Sequence, residues 1–505
     1  LVFIVQIFIL LNFSVVQIQG QKPIETTLPV LTTEQMFADF DSFVEMVKQY
    51  SPQTPVRKAV TGIDPLAELQ RMRAGIPKIN STEEYARLVQ SAVTVLQDGH
   101  SSLIRADYLP AHRMKELGIS DSALELLPAY DNLLRVDPSN RKKFNLKLTY
   151  INGEYYSIAP FTHRGMRFDS GIKLTEVNGQ KTHSFVADLY PHRRMMRWDF
   201  DRRRYFSENF YLANNLSAGQ SLKLKFVDKN GKAKEAKFNL SESLQYQNAA
   251  ANNNTNQTKK VEYFPSEQVL YIRLPEMDFN DASFYPAEIK AKAAGQPLKK
   301  VIIDIRDNPG GSDNVWMSVL AAIIAKPIVF ENFILANPSA GMKKKFPEES
   351  AKWKAYGAPF LDNYEYAVFA SGEARINPAP DSLNFGGKIY ILQNEEIYSS
   401  AGSLAAVGVL ADNILTVGQN TGWLLGRGIS PLLFELPHSK IIYRIEPVID
   451  FFNVKKAEDV YHDRVEIPVS LTIDQYLERI NFTGDVYGKE FLIKRDPVFM
   501  RAISD

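Results

Sequence analysis

The chain has 505 residues, 45% of them hydrophobic, and its 59 Lys plus Arg against 58 Asp plus Glu give a formal charge of +1. That length exceeds one ordinary core, so two or three domains are expected, and the balanced charge supplies no global field for nucleic acid or anionic membrane. There is no cysteine, which excludes disulfides, thiol catalysis and thiolate metal sites and leaves serine chemistry as the obvious covalent route.

Leu1 to Val16 is predominantly apolar, and the polar Gln17-Ile18-Gln19-Gly20-Gln21 that follows contains a small residue suited to cleavage. Residues 1–20 read as a secretory signal; the alternative is a retained membrane anchor, disfavoured because the run stops short of the ~20 residues that span a bilayer. An exported protein without stable membrane insertion is expected, with a bacterial periplasm or envelope a better fit than secretion for a chain without cysteine. From Thr32 to Leu103 apolar residues recur at helical spacing, as in Phe37, Phe40, Phe43, Val44 and Val47 and again from Thr82 to Leu96. This predicts a helical domain over 21–140 in which a long helix runs into the turn Asp98-Gly99-His100-Ser101.

Residues 145–245 change to short β-type runs: Leu146 to Ile151, Tyr155 to Ala159, Leu222 to Val227 and Ala236 to Leu240. Within them Ser170-Gly171-Ile172-Lys173-Leu174-Thr175-Glu176-Val177-Asn178-Gly179 resembles the Gly-x-x-Ile-x-x-Ile-Asn-Gly element of PDZ domains. That resemblance implies a module that accepts an extended peptide as an added strand and holds its terminal carboxylate, with Gly171 in the binding turn. A plain hairpin with an Asn-Gly turn is the simpler reading. The stretch His192 to Tyr205 carries Arg193, Arg194, Arg197, Arg202, Arg203 and Arg204. A solvated helix face is expected there in preference to nucleic-acid contact. Residues 246–260, with Asn248 to Lys260 lacking periodicity and bulky apolar groups, read as a linker.

Over 261–505 strands are expected at Val269 to Ile272, Val301 to Ile305, Ile389 to Gln393, Asn413 to Val417, Leu432 to Leu436 and Ile441 to Ile445, with a helix from Phe284 to Ala293. The alternation implies an α/β core. Two junctions stand out, Val301-Ile302-Ile303-Asp304-Ile305-Arg306-Asp307-Asn308-Pro309-Gly310-Gly311 and Ile397-Tyr398-Ser399-Ser400-Ala401-Gly402. In each an apolar strand ends in a tight turn followed by what reads as an amphipathic helix. The first can aim backbone N–H groups at a developing negative charge, and the second exposes a serine at a helix start.

These two junctions together resemble the serine peptidases of the C-terminal processing (tail-specific) and tricorn-core family, whose members carry Asp-Leu-Arg-x-Asn-x-Gly-Gly and, roughly ninety residues later, Thr-x-Ser-[Ala/Ser]-Ala-Glu. This chain departs from the second element at Ile397 and Gly402. The resemblance implies Ser399 as nucleophile, an oxyanion site made by the N–H of Gly310 or Gly311 and that of Ser400, and His100 as general base, as in the tricorn-like Asp-Gly-His-[Thr/Ser] element. It implies Glu458, in Ala457-Glu458-Asp459-Val460-Tyr461-His462-Asp463, as the acid behind the histidine, with Ser101 a candidate intermediary. The tail-specific branch places a lysine about twenty-five residues after the serine, where this chain has Gly422-Trp423-Leu424-Leu425. The histidine-using branch is therefore favoured. The Gly418-Gln419-Asn420-Thr421-Gly422 turn matches a family turn that shapes the substrate pocket, which brings in Thr421, Gly422 and Trp423. Asp304 and Arg306 are expected to form a structural ion pair.

The fold class implied is a multidomain α/β protein: a Clp/crotonase-like spiral ββα peptidase core, an N-terminal helical domain and a PDZ-like β-rich domain. The function implied is hydrolysis of peptide bonds through an acyl-enzyme, on a peptide or protein recognised at its C-terminus. Two alternatives come from other classes: an inactive peptidase fold that carries a hydrophobic ligand, and a peptide-binding scaffold acting through the PDZ-like module. The histidines are scattered, no His-x-x-x-His or ligand-spaced acidic cluster occurs, and no glycine loop precedes a lysine. Neither metal nor other cofactor is expected.

Overall fold

A computed structural model describes residues 27–134, 146–188, 195–207, 221–239, 242, 244–246, 258–424, 431–461 and 463–505. The segment read as a signal, and most of the segment read as a linker, lie outside the described residues. No described helix is long and apolar enough to cross a membrane.

The centre of the molecule is a six-stranded sheet in the order Lys260–Phe264, Val269–Arg273, Lys300–Asp304, Lys388–Gln393, Ile414–Gly418, Ile467–Pro468. The first pair is antiparallel and the others are parallel. Strand alternation sends Val301, Ile303, Ile389 and Ile391 to one face, where they pack against the helices Phe284–Ala293, Asp313–Ile323 and Ser400–Ala406. Ile302, Tyr390 and Leu392 face the other way, onto Leu492 and Phe499 of the C-terminal helices. A parallel sheet covered on both faces is what the unbroken Val301-Ile302-Ile303 run required. Because these strands run parallel, the turns after Asp304, Gln393 and Gly418 emerge side by side at one sheet edge. That is where α/β folds place ligands.

The N-terminal helices Thr33–Tyr50, Thr54–Thr61, Pro65–Arg73 and Thr82–Val95 follow the sequence periodicity. Thr32 starts the first with a capping box, and Ser81 caps the fourth. Phe40, Phe43 and Val47 share one apolar cluster with Tyr443, Ile445 and Val448, so this helical layer and the chain near 440–448 bury each other. The strand Ser102–Leu103 then pairs with Ile442–Ile445, Ser102 opposite Arg444 and Leu103 opposite Tyr443. The histidine turn is thereby stitched onto the rest of the fold directly after His100.

Between residues 148 and 239 described strands form a sheet in the order Ala233–Asn239, Ser221–Val227, Lys173–Val177, Glu154–Ser157, Leu148–Ile151, with Gln180–Lys181 paired on Lys173–Val177. Asn178 and Gly179 carry φ of 54° and 80°, which makes the turn between the last two strands a primed Asn-Gly hairpin. The arginine-rich stretch is not a solvated helix face. Its described part is a hairpin of Arg197–Asp199 and Arg204–Phe206 in which Arg197, Trp198 and Tyr205 are buried. A second sheet, Ala355–Ala358, Tyr364–Ile376, Ile328–Ala336, Val448–Asp450, was not foreseen from the sequence.

Asp304 and Arg306 form the structural pair expected of them. Arg306 donates to both oxygens of Asp304, at 3.0 and 2.6 Å, and to Asp496 Oδ2 at 2.6 Å, all of it buried. Removing the guanidinium would strand two buried carboxylates. Arg306→Leu is therefore expected to cost about 3–5 kcal/mol, read as a lowered denaturant midpoint at an unchanged m-value.

Candidate active site

Three turns and one helix end build the site. At the first turn Asn308 is the hub: its side-chain Nδ2 donates to Leu274 O at 2.8 Å, its Oδ1 accepts the Gly310 N–H at 2.7 Å, and its backbone O accepts the Tyr398 N–H at 3.0 Å. The last of these bonds ties the glycine turn to the residue before Ser399. Gly310 adopts φ +96°, and a Cβ there would stand 2.6 Å from Tyr398 O and 2.7 Å from Ser399 Cβ. Only glycine permits this approach.

Ser399 holds φ 52°, ψ −119°, a strained conformation for a non-glycine residue and the signature of a nucleophile elbow at a strand-to-helix turn. The helix that follows, Ser400–Ala406, differs from the amphipathic one expected: all seven of its residues are buried. Its small side chains let it sit inside the core, with its first turn directed at the glycine turn. Ser400 Oγ donates to Asp313 Oδ1 at 2.6 Å, fastening its first residue to the start of the Asp313–Ile323 helix.

His100 comes from the third direction, 299 positions away in sequence, and its Nε2 lies 3.4 Å from Ser399 Oγ. Its turn is fixed by Asp98, whose Oδ1 accepts the His100 N–H at 3.0 Å and whose Oδ2 accepts the Ser101 hydroxyl at 2.8 Å. Ser101 Oγ in turn accepts the Glu446 N–H at 3.0 Å. Behind the turn, buried Arg57 donates to Gln97 O at 2.5 Å and to Leu424 O at 2.6 Å. One guanidinium therefore anchors both the histidine turn and the end of the Thr421–Leu424 loop. The Tyr398 ring lies 5.5 Å from that of His100 and meets Trp423 edge-on at 6.4 Å.

Burial, the largest influence on His100, pushes its pKa below the ordinary 6.5; Asp98 pulls it upward and Arg444 reinforces the fall. The fall favours the neutral imidazole, which in its Nδ1–H tautomer presents an Nε2 lone pair to the serine hydroxyl. The acid limb of the kcat/KM profile is expected below pH 6.5, with a single-proton slope and a plateau above it, measured on a small ester or peptide substrate. Because the unfolded histidine binds its proton at higher pH than the folded one, His100 contributes full stability above the ordinary value. That contribution is lost as pH falls from there through the folded pKa.

The structure parts company with the sequence on three site residues. Glu458 does not reach His100: its Oε1 lies 3.4 Å from Arg203 Nη1, and the carboxylate seen to act on the imidazole charge is that of Asp98. His100 Nδ1 is buried with no hydrogen-bond partner among the described residues. The Gly310 N–H is engaged by Asn308, so it is not the free donor the sequence allowed; the Gly311 and Ser400 N–H groups have no acceptor among the described residues. Gly171 donates its N–H to Ser157 O at 2.7 Å and abuts Leu477, away from the serine turn and with its amide already satisfied.

The Thr421, Gly422 and Trp423 loop does come to the site. Thr421 Oγ1 lies 3.3 Å from Asp463 Oδ2, the Gly422 O accepts the Trp198 N–H at 2.6 Å, and the Arg197 guanidinium lies 4.7 Å from the Trp423 ring centroid. Arg197 also donates to Glu396 Oε1 at 2.5 Å. The arginine-rich hairpin therefore walls the site beside the serine turn, a role that its composition hid.

Residues 268–447, just over a third of the chain and including both strand-turn-helix junctions, match the family model described as Peptidase family S41. These residues are similar to the S41 peptidase domain. The match supports a serine-type peptidase. The S41 domain leaves out the histidine turn, which the fold delivers from outside the matched residues. Among solved structures, mature CPAF aligns at 13% identity over 89% of this chain and 96% of its own, with a TM-score of 0.54. Mature CPAF complexed with lactacystin aligns at 13% identity over 94% of this chain and 99% of its own, with a TM-score of 0.55. Both likenesses are of fold. The photosystem II D1 C-terminal processing protease aligns over 90% of this chain and 99% of its own at 13% identity, with a TM-score of 0.37, too loose a superposition to argue from. No curated protein matches the chain.

Proposed function

We propose that this chain is a histidine-assisted serine peptidase that works through an acyl-enzyme. The observation that carries the reading is the approach of a half-buried imidazole to within 3.4 Å of a serine hydroxyl held in a strained elbow. His100 Nε2 takes the proton of Ser399 as Oγ bonds to a peptide carbonyl carbon. The negative oxygen forms beside the free N–H groups of Gly311 and Ser400, each such donor typically worth about 3 kcal/mol in the transition state. As the C–N bond breaks, the imidazolium returns its proton to the leaving amine. Water, deprotonated by the same imidazole, then releases the acyl group.

The substrate is a peptide or protein. The walls made by Trp423, Tyr398 and the Arg197 hairpin leave side-chain selection to that face of the site, and the sheet between residues 148 and 239 serves as a PDZ-like module for a C-terminal tail. Cleavage of an unfolded protein substrate, followed by mass spectrometry of the products, tests the proposal. Fragments produced by the wild type but not by Ser399→Ala are expected; equal cleavage by both proteins would refute it.

A further inference from the structure

Behind the glycine and serine turns, on the side away from His100, stands a buried polar cluster. There, Asp307 adopts φ +61°, a left-handed conformation that a non-glycine residue holds only when its surroundings insist. Two sets of bonds do so. Asp307 N–H donates to Asn394 Oδ1 at 2.9 Å, and Asn394 Nδ2 returns a bond to Asp307 Oδ1 at 2.6 Å. The other carboxylate oxygen of Asp307 accepts the hydroxyl of Tyr487. Asp307 thus joins the glycine turn to the start of the serine turn, and Tyr487 holds Asp307.

Tyr487 is fully buried, and it comes from beyond the S41 match. Guanidinium carbons of Arg273, Arg479 and Arg306 lie 3.9, 4.8 and 5.5 Å from its ring centroid. Arg306 and Arg479 both reach Asp496, at 2.6 and 3.4 Å. The ring is thereby wedged among cations, Arg306 and Arg479 held by carboxylates and Arg273 by the carbonyl oxygens of Leu274 and Asp304. Burial opposes the charge on Asp307, but Arg479 and the Tyr487 hydroxyl overcome it and hold the carboxyl below its ordinary range.

We propose that Tyr487 is a positioning residue for the peptidase reaction: through Asp307 and Asn394 it sets the separation between the glycine turn and the Ser399 turn, so that the C-terminal segment after residue 472 completes the oxyanion site from behind. This rests on the reading of Ser399 as nucleophile. Nothing in the cluster touches substrate, so the effect falls on the geometry of the transition state and not on substrate binding. Misplacement of the two turns by a fraction of an ångström is enough to cost about 10- to 100-fold in rate.

The test is Tyr487→Phe, which keeps the ring among the arginines and deletes only the hydroxyl. A kcat lowered about 10-fold or more, with KM and melting temperature close to wild type, is expected. Exchanging the pair, Asp307→Asn with Asn394→Asp, preserves the reciprocal bonds and an acceptor for Tyr487; it is expected to be more active than Asp307→Asn alone. An unchanged kcat in Tyr487→Phe, or a loss that only follows the fraction of unfolded protein, overturns the proposal. Amide hydrogen exchange of the peptides spanning 305–311 and 394–399 gives a readout independent of catalysis. Faster exchange in folded Tyr487→Phe supports the clamp and wild-type exchange refutes it, even should Ser399 prove not to be the nucleophile.

Discussion

Ser399→Ala and His100→Ala are each expected to lower kcat by about a million-fold, and the double variant is expected to lose no more than either alone. The hydroxyl and the imidazole act as one unit, since Nε2 lies 3.4 Å from Oγ and each is useless in this reaction without the other. What survives should be a residual acceleration of about 10³–10⁴ over water, supplied by the oxyanion donors and by binding. Single-turnover assays on a double-mutant cycle check it. Additive losses would mean that another base serves Ser399.

The second large effect is expected of Gly310→Ala. Alanine at φ +96° is strained whatever the space around it, and here its Cβ would meet backbone, Tyr398 O at 2.6 Å and Ser400 N at 3.0 Å, as well as Ser399 Cβ at 2.7 Å. Backbone cannot swing aside as a flexible side chain can. The serine turn must therefore shift away from the glycine turn, which breaks the Asn308 O to Tyr398 N–H bond and separates the hydroxyl from its oxyanion donors. A loss of about 10²–10³ in kcat is expected, with about 1–3 kcal/mol of stability lost to strain. Gly179, which has φ +80° but open space around it, is the control: Gly179→Ala should show the strain alone and leave kcat unaltered.

The parts of the fold legible in the sequence were those in which one residue type answers one physical demand. Val301-Ile302-Ile303 reads as a strand covered on both faces because nothing in it tolerates water. Phe40, Phe43 and Val47 read as one helix face because their spacing matches the turn. The serine and glycine turns were legible from residues suited to tight backbone, and His100 only through the resemblance of Asp98-Gly99-His100-Ser101 to the tricorn-like element. Elements that are half polar were not: Ile328–Ala336 and Tyr364–Ile376 mix buried and open positions without regular alternation, and no strong signal marks them.

The misreadings share a cause, which is that charge in a sequence does not say whether its partner is water or protein. Six arginines between His192 and Tyr205 read as a solvated face, yet Arg197 is covered by Trp423 and Glu396. Glu458 stood at the right place in the motif, but Arg203 claims it. Asn308 shows the converse. Its side-chain amide serves two backbone partners, Leu274 O and the Gly310 N–H, from opposite ends at once, and only the folded turn reveals why an asparagine is needed there. The Tyr487 to Asp307 link, across 180 positions, left no trace in local pattern at all.

The central claim is that Ser399 is activated by His100. It is tested most directly by reacting the folded protein with a fluorophosphonate and locating the adduct by peptide mass mapping. A single adduct on Ser399 is expected, forming with a rate that falls on acidification below pH 6.5 and becoming far slower in His100→Ala. An adduct on another residue, or a Ser399 adduct formed equally fast without His100, would contradict the account.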